Sequence, residues 1–337
     1  MKILVFAEGY SWGMGPALLE ALQQLGHEAE LFDWTKFKYS SQYPVLIGKV
    51  LDRVFLRRVA SDVNTELQRY LNGRHYNLVI VAKGLLLTPE TVRELHRHSD
   101  VLVNWNPDDF FNPVNSSVNL VKSFEIYDCI YTARKHLLDE YHRRGAKRCV
   151  LIDWYYVPKY YFPLAAGTPQ AYHQDISFIG SWSRRREALI SSLGMYNVRV
   201  YGASWKWASL AFRRKVRCMP PVFGADMRGV IQTSKINLNI LTVENRDTTN
   251  LRNFEVAACG GFQLSERSPE ILSLFKEGEE IACFSDAGEL ATRCAYYLSA
   301  DAERNAIAVA GCRRVMSGGH SITDRARTIV ETAKRYG

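Results

Sequence analysis

Short apolar runs alternate with longer segments of helical spacing along the first half of the chain. Strands are predicted where the apolar runs are continuous, at 2–7, 28–32, 77–82, 101–105, 129–132 and 148–152. Helices are predicted between them, because Leu18, Leu22 and Leu25 share one helical face and 89–96 and 135–144 are spaced in the same way. This alternation predicts a parallel, doubly wound sheet of the α/β class.

The same alternation restarts after a polar, turn-rich stretch at 163–174, which we interpret as a domain boundary. Strands are predicted at 175–180, 198–201, 235–241 and 262–264, and helices at 184–193, 251–258, 289–298, 302–316 and 324–336. We therefore expect two Rossmann-like domains, 1–165 and 170–320, facing a central cleft, with a C-terminal helix in 321–337 that can pack back on the first domain. Ligands of such sheets bind at the carboxyl ends of the strands.

Length and composition fit this two-domain prediction. A chain of 337 residues is longer than one hydrophobic core comfortably supports, and its 47% hydrophobic and 23% charged residues are typical of globular proteins. No apolar run approaches the ~20 residues that span a bilayer, and the first run ends at Glu8, which indicates a strand and not a signal peptide. The seven cysteines are odd in number and lack a CxxC pair, which argues against a disulfide framework or zinc site and fits a cytoplasmic protein.

The net charge of +8 is compatible with nucleic acid, anionic lipid or a phosphorylated substrate as partner. No nucleic-acid-binding motif accompanies the charge, so we expect no nucleic-acid partner. In the segment 45–59, apolar positions alternate with Lys49, Arg53, Arg57 and Arg58. A solvated helix is the interpretation we favour, and an amphipathic helix lying on the inner face of an anionic membrane is the alternative.

The segment NLRNFEVAACGGF (250–262) carries the strongest functional signal. A polar loop brings Thr248, Thr249 and Asn250 to the start of its predicted helix, where free amides and the helix dipole suit a diphosphate. Glu255 lies one turn into the helix and could accept two hydrogen bonds from a ribose diol. It could equally lie on a solvated helix face, and the residues alone leave both interpretations open.

The run RNFEVAACGGF, with the downstream Pro269-Glu270, Leu274-Phe275, Gly278, Glu280 and Phe284, resembles the nucleotide-sugar signature of the CgeB-like (spore-maturation type) glycosyltransferases of the GT-B superfamily. The resemblance is densest over 235–325. It extends into the first half through 81–84, Trp105, 107–109 and 127–128.

The resemblance implies a glycosyltransferase that moves a sugar from a nucleoside-diphosphate donor to a hydroxyl of a cell-surface glycan, a lipid-linked glycan or a protein. It implies no metal and no other cofactor, because helix amides and cations take over the stabilisation of the leaving diphosphate. Glu255 takes the position of the ribose ligand, and Thr248, Thr249, Asn250 and Leu251 would offer amides to the sugar or phosphates. Asp247 stands where related transferases place an acid, more often Glu, near the donor sugar.

Two further turns resemble donor-binding segments of that family. Gly180-Ser181 with Arg184 and Arg185 resembles its phosphate-side loop, and Tyr201-Gly202 closes a strand at which the family contacts the base. Three cations at the start of a helix, at 184–186, oppose the helix dipole, which favours a nearby anion over a solvated helix start. An ordinary turn is an equal alternative for 201–202.

The first half is expected to bind the acceptor. Gly9, Gly13 and Gly15 form a loose glycine pattern that does not match a dinucleotide-binding fingerprint. Lys83 and the pair Asp108-Asp109 each follow a predicted strand. Either aspartate could act as general base if the reaction inverts configuration, although turn formation is the commoner role of Asp after Pro. We favour a retaining reaction, which needs no protein nucleophile.

Alternatives from other classes stay open at this stage. The fold also suits a nucleotide-sugar epimerase, or a non-catalytic sugar-binding or coat-assembly protein. The aromatic segment 153–162 is interpreted as interdomain packing, with a stacking platform for sugar rings as the second interpretation.

Overall fold

The computed structural model describes residues 1–112, 115–165, 167–242 and 248–336, without the side chains of residues 45 and 46. The chain divides into two compact units, one of Met1–Asp153 with Ile322–Gly337 and one of Trp154–Ser321. Each unit contains a six-stranded sheet in which the paired strands are parallel. The predicted α/β class with two doubly wound sheets is therefore confirmed.

The first sheet contains the six strands that the apolar runs predicted. They are β1 (Lys2–Ala7), β2 (Glu28–Asp33), β3 (Tyr76–Ala82), β4 (Ser99–Asn106), β5 (Cys129–Thr132) and β6 (Cys149–Leu151). The helices of this unit are α1 (Met14–Gln24), α2 (Val45–Val54), α3 (Leu56–Leu71), α4 (Pro89–Arg97), α5 (Val118–Lys122), α6 (Leu138–Arg143) and, after the second unit, α14 (Ile322–Ala333). Strands β3 and β4 are almost continuously buried, as expected for central parallel strands covered on both faces.

The strand order of this sheet is β2-β1-β3-β4-β5-β6. The direction of the connections reverses between β1 and β3, and a crevice is expected outside the carboxyl ends of two strands at such a point. Residues 8–13 follow β1 and Lys83 follows β3, so both segments border this crevice.

The segment 45–59 forms two helices and not the single helix predicted from its spacing. The chain leaves the helical conformation at Phe55, between α2 and α3. The Asp52 carboxylate accepts hydrogen bonds from the Tyr39 amide at 2.7 Å and the Ser40 hydroxyl at 2.5 Å, which ties α2 to the preceding loop. In contrast, α3 buries Val59, Val63 and Leu67 in the core of the unit. The two helices therefore pack against different parts of the unit.

The second sheet has the strand order β12-β11-β10-β7-β8-β9. The direction of the connections between its strands reverses between β7 and β10. Its strands are β7 (Gln174–Ile179), β8 (Val198–Tyr201), β9 (Arg217–Met219), β10 (Ser234–Asn239), β11 (Gln263–Glu266) and β12 (Ala282–Phe284). Its helices are α7 (Arg184–Ser191), α8 (Leu210–Lys215), α9 (Gly224–Gln232), α10 (Leu251–Ala258), α11 (Pro269–Leu274), α12 (Ala287–Ser299) and α13 (Asp301–Ser317). The edge strands β9 and β12 have three residues each, and neither was predicted from the sequence.

Candidate functional site

Helix α10 begins at the carboxyl end of β10. The side-chain amides of Asn239 on β10 and Asn250 at the helix start hydrogen-bond each other reciprocally, at 3.0 and 3.2 Å. The backbone amide of Asn250 also donates to the side-chain oxygen of Asn253 at 3.0 Å. These contacts fix the first turn of the helix against the edge of the sheet.

Glu255 is buried, with 7% of its surface exposed, and so does not lie on a solvated helix face. Its carboxylate accepts a hydrogen bond from the Arg252 guanidinium, one turn earlier on the same helix. Burial, and next the charge of Glu255, raise the pKa of the Tyr161 hydroxyl, which marks this phenol as a close neighbour of the carboxylate. The arrangement holds a carboxylate in a fixed position next to a cation.

Three guanidinium groups surround the carboxyl ends of β7 and β10, where the direction of the strand connections reverses. Arg252 donates to the carbonyl of Ile179 at 3.2 Å, Arg185 donates to that of Leu241 at 3.2 Å, and Arg186 donates to those of Ile240 at 2.8 Å and Ser181 at 2.9 Å. The described structure thus places a cluster of cations where an α/β sheet binds its ligands.

Burial, and next the charges of Arg185 and Arg252, lower the pKa of Arg186 to about 10. The three cations are therefore close enough to repel one another. Glu266 on β11 offsets part of this charge by a bidentate pair with Arg185, one contact of which measures 3.0 Å. An anion with several oxygens suits the remaining donors, since guanidinium groups bind phosphates through paired hydrogen bonds.

Arg184, at the first position of α7, is exposed. Among the residues that the structure describes, no side chain pairs with it. The three predicted cations at 184–186 therefore differ: Arg186 holds backbone carbonyls, Arg185 is partly neutralised inside the unit, and Arg184 is open to solvent.

Two predicted turns meet at this edge of the sheet. A Cβ atom at Gly202 would overlap the carbonyl oxygen of Gly180, so these two backbones approach more closely than any other residue at 202 allows. Ser181 is exposed next to them. The Tyr201 side chain is buried and its hydroxyl donates to Gln174 at 2.8 Å, which leaves only the backbone of Tyr201 facing this turn.

Thr248 and Thr249 are buried before α10, while Leu251 is partly buried at its first position. The Thr249 amide donates to the Glu270 carboxylate at 3.3 Å, and the Ser268 hydroxyl donates to the Thr248 carbonyl at 3.1 Å. The predicted amide donor at 249 thus already has an anionic partner within the unit. Asp247 lies outside the described residues.

A cavity of about 390 Å³ lies in the first unit at the crevice between β1 and β3. Tyr10 and Trp12 stack at its wall, with ring centroids 5.3 Å apart. Gly13 precedes α1, and the amide of Met14 donates to the Glu8 carboxylate at 2.9 Å. The lining includes Glu8, Tyr10, Trp12, Trp34, Lys38, Asp52, Leu56 and Lys83. Of the predicted acceptor-side residues, Lys83 therefore lines this cavity, and Gly9 and Gly13 lie in the loop that forms one wall.

Lys83 has a positive φ of 65° at the end of β3 and reaches Asp108 at 2.6 Å. The backbone amide of Asp108 donates a hydrogen bond to the side-chain oxygen of Asn106 at 3.0 Å. Asp109 accepts a hydrogen bond from the Phe111 amide at 2.8 Å. Asp109 therefore shapes the turn, while the Asp108 carboxylate is paired with a cavity-lining lysine.

Several site residues were missed by the sequence analysis. Arg252 lies three positions before Glu255, a spacing that allows a helical ion pair and was a usable signal. Glu266 is 81 positions from Arg185, and only the pairing of β10 with β11 brings them together.

The aromatic residues Tyr155, Tyr156 and Tyr161 are buried, so they present no open face for a sugar ring.

Within the ranges that the structure describes, no group of three or more His, Cys, Asp or Glu side chains is arranged to hold a metal ion. Among the described helices, none has the length and apolar character needed to cross a membrane.

Comparisons with known proteins bear on this arrangement. A family model described as "Glycosyl transferase-like" matches residues 184–331, whereas no curated protein matches the chain in sequence. Sucrose-phosphate synthase from Thermosynechococcus elongatus has a similar structure, with a TM-score of 0.71 and 14% identity over 99% of this chain and 98% of that one. HepE from Anabaena, in complex with UDP and glucose, has a TM-score of 0.65 and 14% identity over 99% and 100% of the two chains.

A protein assigned as a UDP-N-acetylglucosamine 2-epimerase from Listeria monocytogenes is also similar, with a TM-score of 0.58 and 10% identity over 98% of this chain and 94% of that one. Identities this low establish the fold and leave the reaction open. The chain has the two-sheet α/β fold of the GT-B glycosyltransferases, and its residues 184–331 match the glycosyl transferase-like family model.

Proposed function

We propose that this protein transfers a glycosyl group from a nucleoside-diphosphate sugar to an acceptor hydroxyl, as a CgeB-like member of the GT-B enzymes. The observation that carries the proposal is the buried Glu255 carboxylate, paired with Arg252 and beside the guanidinium groups of Arg185 and Arg186. Glu255 would accept hydrogen bonds from the ribose hydroxyls, and the arginines would bind the diphosphate. A uridine nucleotide is the first donor to test, because HepE has been solved with UDP and with UDP-glucose.

The reaction breaks the bond between the anomeric carbon and the diphosphate oxygen and forms a bond from that carbon to the acceptor oxygen. Negative charge grows on the departing diphosphate, and fixed guanidinium groups stabilise it as it forms. For this reason we propose catalysis without a divalent ion. We favour retention of configuration, in which a leaving phosphate oxygen takes the acceptor proton. Inversion would instead require a base such as Asp108.

We assign the acceptor to the cavity of the first unit. Its stacked Tyr10 and Trp12 offer an aromatic face of the kind that binds sugar rings, and Glu8 and Lys83 offer polar groups for hydroxyls or an anionic substituent. A glycan or a glycan-bearing lipid or protein fits this mixture better than a small polar metabolite does.

The test is calorimetric titration with uridine, guanosine, thymidine, adenosine and cytidine diphosphates in excess chelator. We expect one nucleotide to bind, and Glu255→Gln to weaken it by about 10- to 100-fold, since a hydrogen bond to a charged group contributes about 1.5–3 kcal/mol. Glu303→Gln, which changes an exposed glutamate of α13, is the matched control. Equal affinity in wild type and Glu255→Gln would remove the ribose assignment.

The epimerase remains the second candidate because the Listeria protein shares the fold. The nucleotide titration does not separate it from the transferase. Incubating the protein with the nucleotide sugar alone does: an isomer or free sugar formed without any acceptor would identify an epimerase, and an acceptor-dependent product would identify a transferase.

A further inference from the structure

A row of apolar side chains projects into solvent from α2. Ile47, Val50 and Val54 are 56%, 61% and 67% exposed, and their spacing places them on one side of the helix. The opposite side is the packed one, since Gly48 is buried against the backbone of Ser40 and Asp52 hydrogen-bonds to the same loop. The apolar stripe of this amphipathic helix therefore faces away from the core of its unit.

The exposed row continues past the end of the helix. Phe55 and Leu56 are also more than one-third exposed, and with Ile47, Val50 and Val54 they form what we call the docking face. Single exposed apolar side chains are common on soluble proteins. A contiguous group of five within ten residues of sequence is unusual and marks a surface that contacts something apolar. Leu56 also lines the cavity of the first unit.

Cations border the docking face. Lys49, Arg53, Arg57 and Arg58 are all exposed, and in the described parts of the chain none of them forms an ion pair with a carboxylate. The only acidic residue between 45 and 59 is Asp52, which points to the opposite side of α2. Four positive charges are therefore left to attract an anionic partner.

We propose that the docking face binds the first unit to the surface of an anionic membrane. An apolar stripe flanked by Lys and Arg is the pattern of helices that lie in the plane of the interface, with the stripe among the acyl chains and the cations at the lipid headgroups. The single sign of the bordering charge favours anionic lipid over a second copy of this chain, because two such faces would repel each other. The proposal is independent of the reaction that the protein catalyses.

The test is co-sedimentation of the full chain with vesicles of phosphatidylcholine alone, and with vesicles that contain about 30 mol% phosphatidylglycerol. We expect binding only to the anionic vesicles, and weaker binding when salt rises from about 0.1 M to about 0.5 M. Arg53→Gln and Arg57→Gln should each lower the partition coefficient about fivefold, the effect of one basic residue near the surface. Val54→Glu should lower it by about tenfold or more, because it places a charge among the acyl chains.

Val118→Glu is the matched control, because Val118 is 71% exposed on α5 of the same unit and lies outside the docking face. It should bind vesicles as the wild type does. Equal binding by Val54→Glu and Val118→Glu, or equal binding to neutral and anionic vesicles, would overturn the proposal. So would a soluble dimer that Val54→Glu dissociates, since the face would then bind a second copy. The same variants should bind nucleotide with the affinity of the wild type. A loss of vesicle binding can then be assigned to the docking face and not to damage at the donor site.

Discussion

Buried Glu255 forms an ion pair with partly exposed Arg252, one turn earlier on α10, at the carboxyl edge of the second sheet. The Arg252 guanidinium also holds the carbonyl of Ile179 at the end of β7. One arginine thus links the position of the candidate ribose ligand to the strand that precedes the candidate phosphate loop. The pair is a positioning device whether or not Arg252 itself contacts a ligand.

We therefore expect Arg252→Ala to weaken nucleotide binding through Glu255 and to destabilise the unit as well. Loss of one partner leaves a buried carboxylate without its cation, which costs about 3–5 kcal/mol in fully buried pairs and less here, where Arg252 is partly exposed. Arg252→Lys should recover much of the stability but less of the affinity, since lysine cannot donate to Glu255 and Ile179 simultaneously in the same geometry. Denaturant titration and calorimetry measure the two effects. Equal recovery of both would mean that Arg252 is purely structural.

Substitutions of Arg184 and Arg186 should separate an effect on diphosphate binding from an effect on the stability of the unit. Arg186 donates to two backbone carbonyls and its guanidinium lies over the Phe178 ring, with 5.1 Å to the centroid. We expect Arg186→Ala to lower the free energy of unfolding by about 2–4 kcal/mol, because it leaves those carbonyls without a donor. Arg184→Ala should leave the unfolding free energy within about 0.5 kcal/mol of wild type and still weaken diphosphate binding. If Arg184→Ala binds like wild type, the phosphate-side assignment of Arg184 is wrong.

Any side chain at position 202 should lower the stability of the second unit for steric reasons. A Cβ atom at 202 would overlap the Gly180 carbonyl oxygen, so Gly202→Ala must push the two turns apart. We expect a loss of about 1–3 kcal/mol of stability, as for other overpacked sites, and weaker nucleotide binding because both turns move. Gly229→Ala is the control: a Cβ there meets no atom within 4 Å, and α9 should gain up to about 1 kcal/mol. Opposite shifts in the unfolding midpoint are the expected result, and a stable Gly202→Ala would show that the turns can adapt.

The sequence predicts the strands of the first sheet well because central parallel strands are buried on both faces and leave continuous apolar runs, as in β3. It does not predict the break at Phe55, because neither Gly nor Pro interrupts the helical spacing there. The break separates α2, which Asp52 ties to the preceding loop, from α3, which packs in the core. The assignment of Glu255 to the donor ribose stays a prediction. Its burial follows from helix packing, whereas the pairing of Arg185 with Glu266 depends on strand order and could not be found from local spacing.

Asp108 and Asp109 distinguish the two stereochemical outcomes. If the reaction retains configuration, neither aspartate acts as a base, and Asp108→Asn should mainly raise the acceptor KM by freeing Lys83, its 2.6 Å partner. A general base would instead contribute about 10²- to 10⁴-fold to kcat. Asp109→Asn keeps the acceptor oxygen for the Phe111 amide and should behave like wild type. A fall in kcat beyond about 100-fold in Asp108→Asn, with KM unchanged, would favour inversion with Asp108 as base.

Glu289 makes the stability of the second unit depend on acid pH. Hydrogen bonds from Arg267, at 2.9 and 3.1 Å, are the main reason that the pKa of Glu289 falls from 4.5 to about 2. Because the folded state holds the carboxylate ionised, this stabilisation is complete above the unfolded pKa of 4.5 and is lost as pH falls towards 2. Because Glu289 is partly exposed, solvent screening makes its stabilisation at neutral pH smaller than the roughly 3 kcal/mol that such a shift would give at a buried site.

We expect Glu289→Gln to be less stable than wild type near pH 7, with a difference that narrows steadily between pH 4.5 and about 2. Glu303→Gln, which removes an exposed carboxylate of α13, should show a small difference that varies little with pH. Urea denaturation over this pH series measures both differences, provided that each variant unfolds in one cooperative step. A constant gap between Glu289→Gln and wild type would mean that Arg267 stabilises the unit through packing and not through the ionised Glu289.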